Sequence, residues 1–183
     1  MCDHSNVGPL VVLALAVIFG GADQYLGSLS GHPWAAQVSL LSAPWLVLPF
    51  LAGASRRDPR HAAVLGLGAT LIALGGYCAM TLSPLENARF TVAGVADFVR
   101  SDPAVVLGGL VTGPLFGWLG YRWRTRSAWG AGLLTALTLS LEPVARHVTH
   151  RGAGSRPVWL GEVITGVVLA VVLSAAAARR VSH

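Results

Sequence analysis

The stretch Val7–Tyr25, VGPLVVLALAVIFGGADQY, decides the fold class of this chain. Asp23 is its only charged side chain, and an apolar run of about 20 residues is long enough to cross a bilayer core as a helix. Asp3 and His4 stand before the run, where a signal peptide would carry basic residues, and further apolar runs follow it. We therefore predict a retained membrane helix and not a cleaved signal peptide.

The composition of the whole chain indicates the same class. Hydrophobic residues make up 54% of the 183 positions and charged residues only 11%, which would leave a soluble domain without a polar surface. The sequence predicts an all-α fold, a single domain over residues 1–183 built as a polytopic bundle of six transmembrane helices. The predicted spans are residues 8–29, 34–54, 62–82, 103–122, 128–147 and 158–178.

The basic residues set the predicted topology. The net charge is +5 and every basic residue is an arginine. Eight arginines fall in three short segments on one side of the six spans, and five are spread over longer segments on the other. The positive-inside rule then places both termini in the cytoplasm of a multi-pass protein of the bacterial inner membrane. Topology explains the charge, so membrane lipid is an expected partner and nucleic acid is not. The eight are Arg56, Arg57, Arg60, Arg122, Arg124, Arg126, Arg179 and Arg180.

Polar side chains inside the spans gather at nearly one depth when each residue adds about 1.5 Å of helical rise. Ionisable groups within spans are costly and usually face the bundle interior or a water-filled cavity. We predict a pocket beneath the outer surface, with Trp45 as its floor; the alternative is that these groups only bond to one another and hold the bundle together. The layer is formed by Asp23, Gln37, Tyr77, Glu142 and Glu162, and its rim by Tyr25, Trp34 and Trp159.

The three acids of this layer differ in their surroundings. Glu142 precedes Arg146 by one helical turn, which favours an ionised carboxylate. Glu162 and Asp23 have no cation at helical spacing, so we expect them to stay protonated in an apolar bundle. A neutral acid beside an ionised one is typical of acid–base or proton-transfer sites, and also of a cation pathway.

Motifs for bound metals and cofactors are missing from the sequence. It contains no acidic cluster for a diphosphate, no Walker motif, no HExxH and no CxxC. His147 and His150 lack a third ligand. We therefore expect neither a metal nor a cofactor. Gly109, Gly113 and Gly117 form one flat helix face, which predicts close packing inside the chain or, alternatively, the seam of a homo-oligomer.

Several short patterns resemble a family of small six-span membrane proteins common in actinobacteria. They are Trp34, Pro44-Trp45, Gly75-Gly76-Tyr77, the Gly113–Gly117 segment GPLFG, Glu142 and Glu162. The size and the inventory of acids and aromatics are also similar to bacterial membrane-bound terpene cyclases that act on prenylated indoles. The layout of the spans resembles the substrate-capture subunits of vitamin importers.

The terpene-cyclase resemblance implies an enzyme that closes a lipophilic prenylated substrate by protonation. Glu162 is the expected proton donor and Asp23 the second choice, while Glu142 would stabilise positive charge or accept the final proton. Aromatic faces, those of Trp34, Trp45, Tyr77 and Trp159, would stabilise the carbocation. The alternative functions are a binding or transport subunit with an outward-facing pocket, to which a cationic ligand would be suited, and a structural protein without a ligand.

Overall fold

The structure is a computed structural model that describes residues 7–29, 31–41, 43–101, 103–125, 129–148 and 156–181. These residues form eight α-helices and no strand. A short 3-10 turn, Pro84–Glu86, lies between the fourth and fifth helices. The helices are α1 (Val7–Ser28), α2 (Pro33–Ser39), α3 (Ala43–Ala54), α4 (Pro59–Thr81), α5 (Val92–Ser101), α6 (Pro103–Thr125), α7 (Trp129–Val148) and α8 (Arg156–Val181).

The all-α class is confirmed, and three helices are long and apolar enough to cross a membrane. They are α1, α4 and α6, and a fourth span results if α2 and α3 are taken together. Large apolar side chains such as Val64, Leu107 and Val111 are exposed along these helices, as expected of surfaces that face lipid. Helices α7 and α8 lie where the fifth and sixth spans are predicted. These features indicate an integral membrane protein.

The second predicted span, residues 34–54, is broken into two helices. The axes of α2 and α3 meet at an angle of 44°. Pro44 stands at the start of α3 and has no N–H to continue a helix from α2, and proline also disfavours the helical conformation of the residue before it. The two helices together are apolar enough to form one span. The length of the apolar run therefore could not predict the break.

Helix α4 lies at the centre of the described bundle, between α1, α3 and α6. Its small residues allow this close packing. A Cβ atom built on Gly66 would lie 2.5 Å from the Gly113 carbonyl oxygen of α6, and one on Gly117 would lie 2.5 Å from the Ala62 carbonyl oxygen. Gly113 and Gly117 are therefore buried within the single chain, the first of the two uses predicted for this glycine face. Its use in a homo-oligomer stays a prediction.

The two ends of the bundle differ in chemistry. At one end α3 stops, α4 begins and α6 stops; there Arg124 Nη1 donates a hydrogen bond to the Ala54 carbonyl oxygen at 2.7 Å. This guanidinium satisfies a carbonyl at the end of α3, as basic side chains often do at helix C-termini. At the same end the Arg122 guanidinium lies 4.9 Å from the centre of the Trp118 ring. The opposite end, where α1 and α4 stop and α6 begins, holds the candidate site.

Candidate functional site

Asp23 of α1 has a buried side chain that faces α3. Three polar side chains are buried in the described part of the chain: Asp23, Thr70 and Thr135. Both threonines donate to carbonyls one turn back in their own helices, so their burial is explained by local bonds. The Asp23 carboxylate instead accepts a hydrogen bond at 3.2 Å from the Trp45 indole N–H of α3. A buried acid with a partner on another helix is a feature of functional sites within membranes.

Four aromatic rings form a row beside this carboxylate, each from a different helix. The Phe19 and Trp45 ring centres are 5.1 Å apart, and Trp45 and Tyr77 are 6.1 Å apart, both in edge-to-face geometry. Tyr77 and Phe98 follow at 6.0 Å. At these distances aromatic pairs contribute stabilisation in addition to that from their buried area. The row therefore ties α1, α3, α4 and α5 together around Asp23.

Asp23 and three of these rings face one cavity of about 300 Å³. This volume is at the lower end of the range for small-molecule sites. Asp23 is the only acidic or basic residue among the described residues of the lining, so the cavity offers one carboxyl group, several aromatic surfaces and two serines. The lining is Asp23, Ser39, Trp45, Leu74, Tyr77, Phe98, Ser101, Val105 and Val106.

A second cavity of about 350 Å³ adjoins the first. The two share four lining residues, which means that they are compartments of one cleft. The second compartment extends along the α2–α3 break and the glycine face of α6, and its described lining contains no ionisable side chain. The shared residues are Ser39, Trp45, Leu74 and Val105; the others are Leu40, Leu41, Leu46, Thr70, Gly108, Gly109 and Thr112.

The structure brings three of the expected site residues together: Asp23, Trp45 and Tyr77. Tyr25 and Trp34, the expected rim, are 48% and 57% exposed and are not among the described lining residues of either compartment. Gln37 is half-buried on α2 and is likewise outside both linings. The side chains of the remaining expected residues, Glu142, Arg146, Trp159 and Glu162, lie outside the described part of the structure.

Sequence reasoning missed the wall that α5 and the start of α6 contribute. Phe98 and Ser101 lie between the predicted spans 62–82 and 103–122, in a segment for which no helix of the bundle is predicted. The apolar residues Val92, Val95 and Val99 recur at helical spacing there, which indicates a helix, but Val92 and Val99 are exposed and the cavity is lined instead by Phe98 and Ser101 of α5. Ser39 was missed because the α2–α3 break was not foreseen.

Comparison with known proteins adds no relative: no protein-family model, no curated protein and no solved structure matches this chain.

Proposed function

We propose that this protein binds a lipophilic organic cation in the Asp23 cavity, as the substrate site of a membrane transport or binding protein. The observation that carries the proposal is the buried Asp23 carboxylate facing a cavity together with Trp45, Tyr77 and Phe98. Aromatic rings around a cation are the usual means by which proteins recognise quaternary ammonium groups. A carboxylate supplies the compensating negative charge.

The Trp45 hydrogen bond supports a cationic ligand. An indole N–H is a donor only, and it stabilises the negative form of the carboxylate that accepts from it. It also fixes the position of Asp23 Oδ2 at one wall of the cavity. We expect the acid to be protonated while the apolar site is empty, because an ionised carboxylate is costly there. A bound cation would offset that cost and favour the ionised form.

The topology that we propose places this site near the outer leaflet. It has six spans, with α7 and α8 as the fifth and sixth, and both termini in the cytoplasm of the bacterial inner membrane. Supporting this orientation, the arginine-rich turns lie at the end of the bundle opposite to Asp23, and cytoplasmic segments are typically rich in arginine. The ligand would then enter from outside or from the lipid.

The test is binding of tetramethylammonium and tetraethylammonium to the purified protein, measured by calorimetry. The variant is Asp23→Asn, which keeps the shape of the side chain and removes its charge. Asp97→Asn is the matched control, because Asp97 is an exposed acid on α5 whose side chain is 77% accessible. We expect Asp23→Asn to weaken binding by at least about tenfold, because a quaternary ammonium ion loses the attraction of a nearby unit charge, and Asp97→Asn to leave it unchanged. Equal binding by all three proteins would overturn the proposal.

A second candidate function is acid-initiated cyclisation of a prenylated lipid, favoured by the row of rings beside the acid. In that reaction a carboxyl group, Glu162 or Asp23, transfers its proton to an alkene and leaves a carbocation. The π electrons of a second bond close the ring, and loss of a proton from carbon to a carboxylate restores the acid. Membranes with and without the protein, fed prenylated indoles and extracted for mass spectrometry, test this. A cyclised product that is lost in Glu162→Gln or Asp23→Asn supports cyclisation; an unchanged substrate pool argues against it.

A further inference from the structure

The cation site continues into a compartment with a different chemistry. The second cavity shares a wall with the Asp23 cavity through Trp45 and Leu74. Beyond that wall no ionisable side chain lines it in the described part of the chain. Its two threonines, Thr70 and Thr112, donate their hydroxyl hydrogens to carbonyls one turn back in their own helices, at 3.1 and 2.8 Å. A ligand would therefore meet mainly methyl groups, leucine side chains and glycine backbone.

We propose that the ligand is an amphiphile, with an ammonium head at Asp23 and a hydrocarbon chain in the second compartment. This inference rests on the proposed function and specifies its substrate class. A charged compartment joined to an apolar one selects for a molecule with the same two parts. The apolar compartment measures about 350 Å³. A water-sized group occupies about 30 Å³ of liquid, so the compartment has room for on the order of ten methylene groups.

Gly108 is the position where the second compartment can be filled without disturbing the helices. A Cβ built on Gly108 meets no atom within 4 Å, whereas one on its neighbour Gly109 would lie 3.1 Å from Thr70 Cγ2. Gly108 lines the second compartment and is not part of the first. The leucine side chain of Gly108→Leu should therefore fill the space that the ligand's hydrocarbon chain would occupy and leave the Asp23 site intact.

Gly75 provides the matched control for this variant. It lies in the interior of α4, its Cβ also meets nothing within 4 Å, and it lines neither compartment. Gly75→Leu makes the same chemical change in a helix while leaving the cleft open. Both substitutions also raise helix propensity by the same amount.

The experiment measures Kd for tetramethylammonium and for butyl-, octyl- and decyltrimethylammonium with wild type, Gly108→Leu and Gly75→Leu. The ratio of the variant Kd to the wild-type Kd is compared at each chain length, so that partition of the ligand into detergent or lipid cancels. For Gly108→Leu we expect a ratio near one with tetramethylammonium, rising to at least about tenfold with the decyl compound. Each buried methylene is worth about fourfold in affinity, so a leucine that displaces several of them accounts for this. Gly75→Leu should stay near one throughout.

The outcomes separate this inference from the function on which it rests. If tetramethylammonium binds and needs Asp23, but the Gly108→Leu ratio does not change with chain length, the chain does not occupy the second compartment. The amphiphile proposal is then wrong and the cation site remains. If no ammonium compound binds in a way that depends on Asp23, the proposed function itself fails. A ratio that rises with chain length in both leucine variants would also overturn the amphiphile proposal, because Gly75 lines neither compartment and the effect could not be assigned to the second one.

Discussion

Two adjacent glycines of α4 give a sharp test of the packing that holds Asp23 in place. A Cβ on Gly76 would overlap the Val17 carbonyl oxygen of α1 and lie 3.1 Å from Val17 Cα. These are backbone atoms, so neither can rotate away and α1 has to move outward. A Cβ on Gly75 meets nothing within 4 Å. Alanine at position 76 should therefore be destabilising and alanine at position 75 should not.

The size of the effect follows from the two terms involved. Both substitutions gain about 1 kcal/mol in helix propensity, which cancels when the variants are compared. Overpacking a filled site costs about 1–3 kcal/mol, and a collision with backbone belongs at the upper end of that range. We expect Gly76→Ala to unfold with about 2–3 kcal/mol less free energy than Gly75→Ala.

The assay is unfolding of the detergent-solubilised protein by increasing fractions of sodium dodecyl sulfate, followed by far-ultraviolet circular dichroism. In a variant that keeps Trp45 as its only tryptophan, fluorescence would report separately on the Asp23 site, which should be disturbed by Gly76→Ala because α1 carries Asp23 away from its indole partner. Identical unfolding curves for the two alanine variants would refute the close contact between α1 and α4.

The helices could be predicted from the sequence because the length of an apolar run is a direct physical requirement of the bilayer. The start of α4 is also marked locally, by Asp58 before Pro59. The break between α2 and α3 could not be predicted in the same way, because hydropathy averages over about 20 residues and does not register a missing N–H at Pro44. That break shapes the candidate site, since Ser39 and the second compartment lie beside it.

For the candidate site, the sequence predicted only the depth of its residues along the helices. A fixed rise per residue places Asp23 and Tyr77 at similar heights, and the structure brings both to one cavity. Depth says nothing about rotation around the helix axis. Tyr25 follows Asp23 by two residues, about 200° around a helix of 3.6 residues per turn, and it is half-exposed and outside the described lining. Phe98 could not be predicted as a site residue because it lies in no predicted span.

Two further predictions concern the ends of the bundle. Single cysteines introduced into a cysteine-free background should react with an impermeant reagent from outside at residues 84–101 and 148–156; reaction at 56–60 would reverse the proposed orientation. The second concerns Asp58, whose carboxylate accepts hydrogen bonds from the His61 backbone N–H at 2.9 Å and pairs with its imidazole at 2.8 Å. Together these bonds hold the pKa of Asp58 below its ordinary value of 3.8, and the backbone bond contributes most to the shift. A lowered pKa in the folded state stabilises the protein above the ordinary value, and that contribution is lost as the pH falls through the folded value. Asn also caps helices well but does not titrate. Asp58→Asn should therefore match wild type in detergent unfolding at neutral pH and lose less stability than wild type on acidification below 3.8. Parallel loss in both proteins would show that the α4 cap carries no pH dependence.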